Sequence, residues 1–164
     1  MTAPASSRFL IVGGGLGGPL MAIFLGRAGH QVDLYERRAD PRGGKGGEGR
    51  SINLAISTRG LHALERAGLR ETIASIAIPM RGRMVHPAEG GLAFQPYGTR
   101  KDQAINSVSR SALNIALLDA AERLPNVRLH FERRCVGVDL DLPSATFLDP
   151  RTGESFTAAA DAVV

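Results

Sequence analysis

Cysteine, tryptophan and clustered metal ligands are scarce in this sequence. Its 164 residues include one cysteine, Cys135, and no tryptophan, and only 5% of them are aromatic. One cysteine excludes an internal disulfide and a cysteine-based metal cluster. The four histidines are too dispersed to match a metal-ligand spacing: His30, His62, His86 and His130. We therefore assign no metal site, and we interpret the Cys135 side chain as a packing residue rather than a nucleophile.

Long apolar runs and concentrated charge are also missing. No apolar run approaches the roughly 20 residues that a transmembrane helix needs, and the first seven residues lack the regions of a signal peptide. The net charge of +4 is scattered, without interleaved aromatic residues that could stack on bases. We expect a soluble cytoplasmic protein with no nucleic-acid partner and no membrane segment. No pattern predicts an oligomeric state.

Glycine, in contrast, is abundant, with 20 residues, and its densest group follows a short apolar run. Phe9–Val12 predicts a buried strand, Leu20–Ala28 has helical spacing, and Gln31–Glu36 predicts a second strand. Between the first strand and the helix lies G-G-G-L-G-G, which fits the pattern G-x-G-x-x-G. In this context the pattern predicts a pyrophosphate at the helix N-terminus, where free N–H groups and the helix dipole favour an anion.

The positions of this loop have separate predicted roles. Gly13 allows the tight turn, Gly15 lets the backbone approach a pyrophosphate, and Gly18 lets helix and strand pack closely. Glu36 ends the second strand, where its carboxylate can accept hydrogen bonds from ribose hydroxyls. Dinucleotide-binding residues predicted here are Gly13, Gly15, Leu16, Gly17, Gly18 and Glu36. The alternative is a glycine-rich turn without a ligand, and the motif alone does not choose between NAD and FAD.

The rest of the chain predicts an α/β fold. Strands are expected at Met80–His86, Leu92–Pro96 and Ala104–Val108, and a periodic helix at Ser111–Leu124. Short strands between residues 127 and 157 follow, the later ones as a β-meander. Residues 161–164 predict the start of a buried strand. Because an apolar strand edge is rarely left open, we expect a fragment of a longer chain.

Four further motifs decide the cofactor. They are Gly49-Arg50-Ser51-Ile52-Asn53-Leu54-Ala55, Pro79-Met80-Arg81-Gly82-Arg83-Met84, Pro96-Tyr97-Gly98 and Ser107-Val108-Ser109-Arg110. Together they resemble the flavin-dependent aromatic hydroxylases, and within that family the kynurenine-hydroxylating group. The resemblance runs from about residue 9 to residue 164 and covers the first third of such an enzyme. It implies a Rossmann-like FAD-binding domain over residues 1–164, incomplete at its C-terminus, with the start of a substrate-binding sheet at about 80–108.

The resemblance also implies an activity and a set of contacts. The activity is NADPH- and oxygen-dependent hydroxylation of L-kynurenine, or a similar aromatic amino acid, at ring position 3, in tryptophan degradation and NAD biosynthesis. Arg83 and Tyr97 are expected to hold the substrate carboxylate. Besides the loop and Glu36, FAD contacts are expected at Arg38, Asn53, Ala55, Arg110 and the backbone at Cys135. No side chain is nominated as an acid or base, and the chain alone is expected to be inactive and to bind FAD weakly or not at all.

Physical arguments support two of these assignments independently. Arg110 falls at the start of a predicted helix, where a cation opposes the helix dipole, and a locally disfavoured charge often marks a functional site. Arg81 and Arg83 are two residues apart on a predicted strand, so their side chains share one face. A guanidinium forms paired hydrogen bonds with a carboxylate, which makes a carboxylate the expected ligand of this face. Solvated surface arginines are the alternative in both cases. For the whole chain, the alternatives are another flavin hydroxylase or a non-catalytic nucleotide-binding module.

Overall fold

The computed structural model describes residues 6–44, 52–100, 103–139 and 141–164. In chain order the elements are β1 (Arg8–Val12), α1 (Gly17–Arg27), β2 (Gln31–Tyr35), a 3₁₀ turn (Pro41–Gly43), β3 (Asn53–Ile56), α2 (Thr58–Arg66), α3 (Arg70–Ile76), β4 (Ile78–Met80), β5 (Gly82–Val85), β6 (Ala93–Pro96), β7 (Ile105–Ser109), α4 (Arg110–Glu122), β8 (Val127–His130), β9 (Arg134–Asp139), β10 (Ser144–Leu148), β11 (Ser155–Ala159) and β12 (Ala162–Val163). The chain divides into two compact units: residues 1–50 with 114–164, and residues 51–113.

A parallel sheet forms the centre of the first unit. Its strand order is β12-β1-β2-β8, and each neighbouring pair is parallel. The helix α1 connects β1 to β2 and packs on both strands and on β8, so that the apolar residues Ile11, Val32 and Leu34 are buried. The predicted strand–helix–strand unit is therefore confirmed. At the sheet edge, the Val12 N–H donates to the Val164 carbonyl at 2.8 Å.

The predicted β-meander is also confirmed. Strands β9, β10 and β11 form an antiparallel sheet in the order β11-β10-β9. Its residues Ala145 and Phe147 pack with Leu10 and Tyr35 of the parallel sheet, and the rings of Tyr35 and Phe147 stack with their centroids 4.0 Å apart. Phe147 is fully buried, and burying a side chain of this size stabilises a fold by about 3 kcal/mol.

One charged residue lies in this interior, which the sequence analysis did not anticipate. Asp33 of β2 is only 7% exposed. Arg8 donates to its Oδ2 from Nη2 at 3.0 Å, and His130 Nε2 lies 2.8 Å from its Oδ1. Burial acts to raise the pKa of Asp33, but the hydrogen bonds with His130 and Arg8 outweigh it and hold that pKa below its usual value. The buried carboxylate is therefore ionised at neutral pH.

The second unit is built from antiparallel strands and two short helices. One sheet has the order β3-β7-β4, and β5 pairs with β6 as a separate hairpin. The helix α2 begins at Thr58, because the Ser57 hydroxyl before it accepts a hydrogen bond from the Gly60 N–H at 3.3 Å. After the helix, Gly68 adopts a φ of +70° and ends it.

The predicted strand Met80–His86 is wrong in one respect. The structure divides it into β4, which pairs with β7, and β5, which pairs with β6, and Arg81 lies between them outside both strands. A Cβ on Gly82 would overlap the ring of Phe94 and the carbonyl of Gln95, so β6 leaves room only for a glycine where β5 begins. Arg81 and Arg83 therefore do not share one strand face.

No helix among the described residues is long and apolar enough to cross a membrane.

The buried Asp33 predicts a loss of stability in acid. A carboxylate whose pKa is lower in the folded state stabilises the fold above its unfolded pKa of about 3.9, and this contribution is lost as pH falls further. We expect Asp33→Asn to lower the free energy of unfolding by roughly 2 kcal/mol at neutral pH. The variant should then lose less stability than the wild type between about pH 5 and pH 3, as measured by chemical denaturation.

Glu65→Gln is the matched control for this experiment. Glu65 pairs with Arg70 on the surface and is half exposed, so its removal should change stability by less than about 1 kcal/mol. An Asp33→Asn variant with the same acid sensitivity as the wild type would contradict the assignment.

Candidate functional site

The glycine loop connects β1 to α1 and is hydrogen-bonded to the end of β2. Gly13 has a φ of +117°, which an L side chain rarely adopts, and its N–H donates to the Tyr35 carbonyl at 2.8 Å. The helix α1 then begins at Gly17. Among the described residues no side chain caps its N-terminus, and its first turn contains no acidic residue. Pro19 lies in that first turn, where its missing N–H costs no helical hydrogen bond. The first-turn N–H groups are thus available to an anion.

The glycines of this loop are needed for different reasons. A Cβ on Gly18 would overlap the Gly13 carbonyl oxygen, and a Cβ on Gly14 would lie 2.9 Å from the Cβ of Glu36. At Gly15 and Gly17, by contrast, nothing lies within 4 Å of the position that a Cβ would take. Gly14 and Gly18 are therefore required by contacts within the protein, whereas Gly15 and Gly17 face open space into which a ligand could approach.

Glu36, which directly follows β2, contacts this loop. Its Oε2 accepts a hydrogen bond from the Gly14 N–H at 2.7 Å, and its Oε1 accepts one from the Arg38 N–H at 2.9 Å. The sequence alone predicts only ribose hydroxyls as partners of this carboxylate. A carboxylate has about four lone-pair sites, so both oxygens keep acceptor capacity for a ligand while they hold the loop.

The turn between β8 and β9 supports the segment that follows Glu36. The Arg133 N–H donates to the Glu36 carbonyl at 2.9 Å, and the Glu132 N–H donates to the Arg38 carbonyl at 3.0 Å. Glu132 has a φ of +55°, a conformation unusual for a residue that is not glycine. Such a conformation costs on the order of 1 kcal/mol. Cys135 follows on β9, half-buried, with its Sγ 3.4 Å from the Gly137 carbonyl oxygen.

Asn114 is a loop contact that the sequence analysis missed. It lies in α4, and its Nδ2 donates to the Gly14 carbonyl at 2.9 Å. Asparagine is a weaker helix former than alanine by up to about 0.7 kcal/mol, and this one interrupts the apolar pair Leu113 and Ile115. A polar residue of low helix propensity between apolar ones was the only available signal. Nothing in the sequence pointed to its partner.

Arg42 holds the C-terminal part of α4, which belongs to the first unit. This side chain lies in the 3₁₀ turn and pairs with Asp40 at 2.6 Å, Glu122 at 2.5 Å and Asp119 at 3.2 Å. The hydrogen bond from Arg42 holds the pKa of Asp40 below its usual value. Networks of several charges hold geometry better than isolated surface pairs, so the position of α4 does not depend on Asn114 alone.

In the second unit, the structure places Asn53 and Ala55 beside the start of α4. Both are exposed and alternate on β3, and Asn53 is paired with Ser109 of β7. The Arg110 N–H donates to the Ile52 carbonyl at 3.0 Å. The helix begins at Arg110, one residue before the predicted start, because Ser109 Oγ accepts from the Ala112 N–H at 3.4 Å. The exposed Arg110 is thus the first helical residue.

Arg83 and Tyr97 both belong to the hairpin of β5 and β6. Arg83 is exposed on β5, and its Nε donates to the Gln95 Oε1 at 2.8 Å. Tyr97 follows β6, is 43% exposed, and its N–H donates to the Arg81 carbonyl at 2.9 Å. Gln95, which the sequence analysis did not select, therefore orients the guanidinium. The hairpin carries both predicted substrate contacts on exposed positions.

The residues Gly49, Arg50 and Ser51, which begin the motif ending in Asn53-Leu54-Ala55, lie outside the described residues. Within the described ranges, no group of three or more His, Cys, Asp or Glu side chains could hold a metal ion.

Comparison with known proteins identifies what this arrangement is similar to. A family model described as an FAD binding domain matches residues 7–164. The kynurenine 3-monooxygenase of Myxococcus xanthus is 51% identical over 155 residues, covering 94% of this chain and 33% of the relative. That of Anopheles gambiae is 46% identical over 154 residues, covering 94% and 32%. The chain thus spans about a third of the length of the curated relatives it matches.

A solved structure shows the same fold. The flavin-dependent monooxygenase PieE, in complex with FAD and substrate, superimposes with a TM-score of 0.77 over 99% of this chain and 30% of its own. The sequences are 21% identical, so this likeness concerns the fold alone. It agrees with the predicted α/β fold.

The two kinds of glycine in the loop can be separated by substitution. We expect Gly18→Ala to lower the free energy of unfolding by roughly 3 kcal/mol, because its Cβ would displace the Gly13 carbonyl. Gly17→Ala should leave stability unchanged or raise it by up to about 1 kcal/mol, since alanine is the better helix former. Thermal and chemical denaturation measure both changes. Equal effects of the two substitutions would refute the difference between these positions.

Proposed function

The chain belongs to the FAD-binding domain family, and from this premise we propose that it forms the FAD-binding part of a monooxygenase that hydroxylates L-kynurenine at ring position 3. The similarity to kynurenine 3-monooxygenases, at 51% identity over 94% of the chain, is the observation that carries this proposal. The reductant is proposed to be NADPH, the oxidant O₂, and the location cytoplasmic. The finer assignments rest on the motifs of the sequence and on the geometry around them.

The first unit fits the adenosine diphosphate part of FAD. The uncapped N-terminus of α1 supplies N–H groups and the positive end of a helix dipole to a diphosphate. Next to it, the exposed Gly15 leaves open space for close approach, and we assign Leu16 and Gly17 to the same contact. Glu36 would accept hydrogen bonds from the ribose hydroxyls through its remaining lone pairs.

Two neighbouring segments would border the adenosine. Arg38 is held beside Glu36 through its own N–H and is exposed, so that its side chain can flank the adenosine. The backbone at Cys135 is proposed to border the adenine. The turn at Glu132 supports this arrangement, because the Glu132 N–H donates to the Arg38 carbonyl and so holds the Arg38 backbone in place.

The second unit would hold the flavin and the substrate. Asn53 and Ala55 present one exposed face of β3, which we assign to the flavin. Arg110 stands at the N-terminus of α4, where a cation costs about 0.3–1 kcal/mol. We assign it to the phosphate and ribityl region of FAD, because an anion there would offset that cost. Arg83 and Tyr97 are assigned to the carboxylate of the substrate.

The chemistry itself belongs to the cofactor. When bound, FAD carries electrons from NADPH to O₂, so that one oxygen atom enters the aromatic ring and the other leaves as water. The residues named above bind and orient the reactants, and none of them needs to act as an acid or base. An arginine is suited to the substrate carboxylate because its fork makes two parallel hydrogen bonds.

A hybrid enzyme tests the proposal. In it, the 155 residues aligned with the Myxococcus xanthus kynurenine 3-monooxygenase replace their counterparts in that protein. We expect the hybrid to retain FAD and to oxidise NADPH only when L-kynurenine is present, with formation of the 3-hydroxylated product. Flavin absorbance, NADPH oxidation and product chromatography are the measurements, and the parent enzyme is the control.

Each alternative has its own outcome in this experiment. A folded hybrid that retains FAD but hydroxylates a different aromatic acid would identify another flavin hydroxylase. A folded hybrid that retains no FAD would contradict the proposal and favour a non-catalytic module.

The same hybrid tests the substrate assignment of Arg83. We expect Arg83→Ala to raise the KM for L-kynurenine by about 10- to 100-fold, the equivalent of a lost charge-assisted hydrogen bond, with a much smaller effect on kcat. Arg70→Ala is the matched control, because Arg70 is an exposed arginine of the same unit that pairs with Glu65. If both substitutions leave the KM within about twofold, Arg83 does not hold the carboxylate.

A further inference from the structure

Asn114 bonds to the glycine loop from a distant part of the chain. Its Nδ2 donates to the Gly14 carbonyl at 2.9 Å, across 100 positions of sequence. The side chain is half-buried, and α4, from which it projects, is held separately by the Arg42 pairs with Asp119 and Glu122. The donor therefore has a fixed origin, and its single recorded acceptor is the central residue of three consecutive glycines.

Gly14 is held on both sides. Its N–H donates to Glu36 Oε2 at 2.7 Å, which fixes the peptide before it, and its carbonyl accepts from Asn114, which fixes the peptide after it. Glycines visit more backbone conformations than any other residue, so a run of three would otherwise sample many loop shapes. The two side chains restrict this run to one shape.

The second of these peptides determines where the Gly15 N–H points. The described peptide bonds are all trans, and in a trans peptide the carbonyl and the following N–H point in opposite directions. Since the Gly14 carbonyl is directed at Asn114, the Gly15 N–H is directed away from it. In the part of the chain that the structure describes, no protein acceptor is recorded for that N–H, and Gly15 is exposed to open space.

We propose that Asn114 is a positioning residue of the FAD site: by holding the Gly14 carbonyl, it fixes the Gly14–Gly15 peptide so that the Gly15 N–H is presented to the diphosphate. This inference rests on the proposed function, because it presumes that the loop binds FAD. A loop already held in its binding shape loses less conformational freedom when the ligand binds. Asn114 thus contributes to affinity without touching the ligand.

Asn126 provides a matched control within the same unit. Its Nδ2 donates to the Gly26 carbonyl at 2.7 Å and to the His30 carbonyl at 2.6 Å. It therefore holds the C-terminal end of α1 in the way that Asn114 holds the loop before the helix. Loss of either asparagine should lower stability, but only Asn114 is placed to affect the loop.

The experiment has two readouts, which are ligand-free spectra of the 164-residue chain and the FAD affinity of the hybrid enzyme described above. In ligand-free amide NMR spectra of the chain, Asn114→Ala should shift the Gly15 resonance and speed its hydrogen exchange. In the hybrid enzyme freed of FAD, titration with FAD should give a Kd raised by about tenfold. Asn126→Ala should leave the Gly15 amide and the Kd unchanged while it lowers the melting temperature. If Asn114→Ala does not fold, Asn114→Asp takes its place, since a carboxylate of equal size cannot donate to the Gly14 carbonyl.

The outcomes are separable. A Gly15 amide that is unchanged in the Asn114 variant would overturn the inference, and so would a Kd within twofold of the wild type. Equal changes in the Asn126 variant would also overturn it, because they would reflect stability alone. If the hybrid with the wild-type Asn114 bound no FAD, that result would count against the proposed function, and the ligand-free spectra would decide whether Asn114 orients the peptide.

Discussion

The hydrogen bond between the Gly14 N–H and the Glu36 carboxylate is the contact on which the proposed site depends. It joins the turn after β1 to the end of β2 at 2.7 Å, and it requires a glycine because Glu36 leaves no room for a Cβ. Two strands of a parallel sheet end at the same edge, and this bond makes their ends a single surface. Glu36 therefore has two roles, since the carboxylate that orders the loop is also the one proposed to receive the ribose.

Contacts of the β2 side chains support that edge of the sheet. Tyr35, the residue before Glu36, lies between the ring of His130 and that of Phe147, with centroid distances of 4.4 and 4.0 Å. Two positions earlier, Asp33 is held by Arg8 and His130. A buried ion pair contributes little net stability by itself, but removal of one partner is costly. These contacts give β2 a defined register and direction up to the residue that meets the loop.

Much of the fold was predictable because it follows local rules. The apolar run of β1 and the helical spacing of α1 are short-range features, and the structure has both of them. The division of the strand at Arg81 was not predictable, because it depends on the pairing of β4 with β7 and of β5 with β6. The pairing of strands that are distant in the chain, such as β12 with β1, was not predictable from the sequence either.

The class of the ligand and the local shape of its loop follow from the amino-acid sequence alone. Spacing of the glycines, the helix after them and the acid at the end of β2 are all contained within thirty residues, so chain connectivity alone brings them together. The groups that hold that loop in place, in contrast, depend on tertiary packing. Asn114 meets Gly14 across 100 positions, and Glu132 adopts its unusual φ beside Arg38 because two hydrogen bonds fix that turn. Contacts of this kind arise from the packing of distant elements, and no local propensity encodes them.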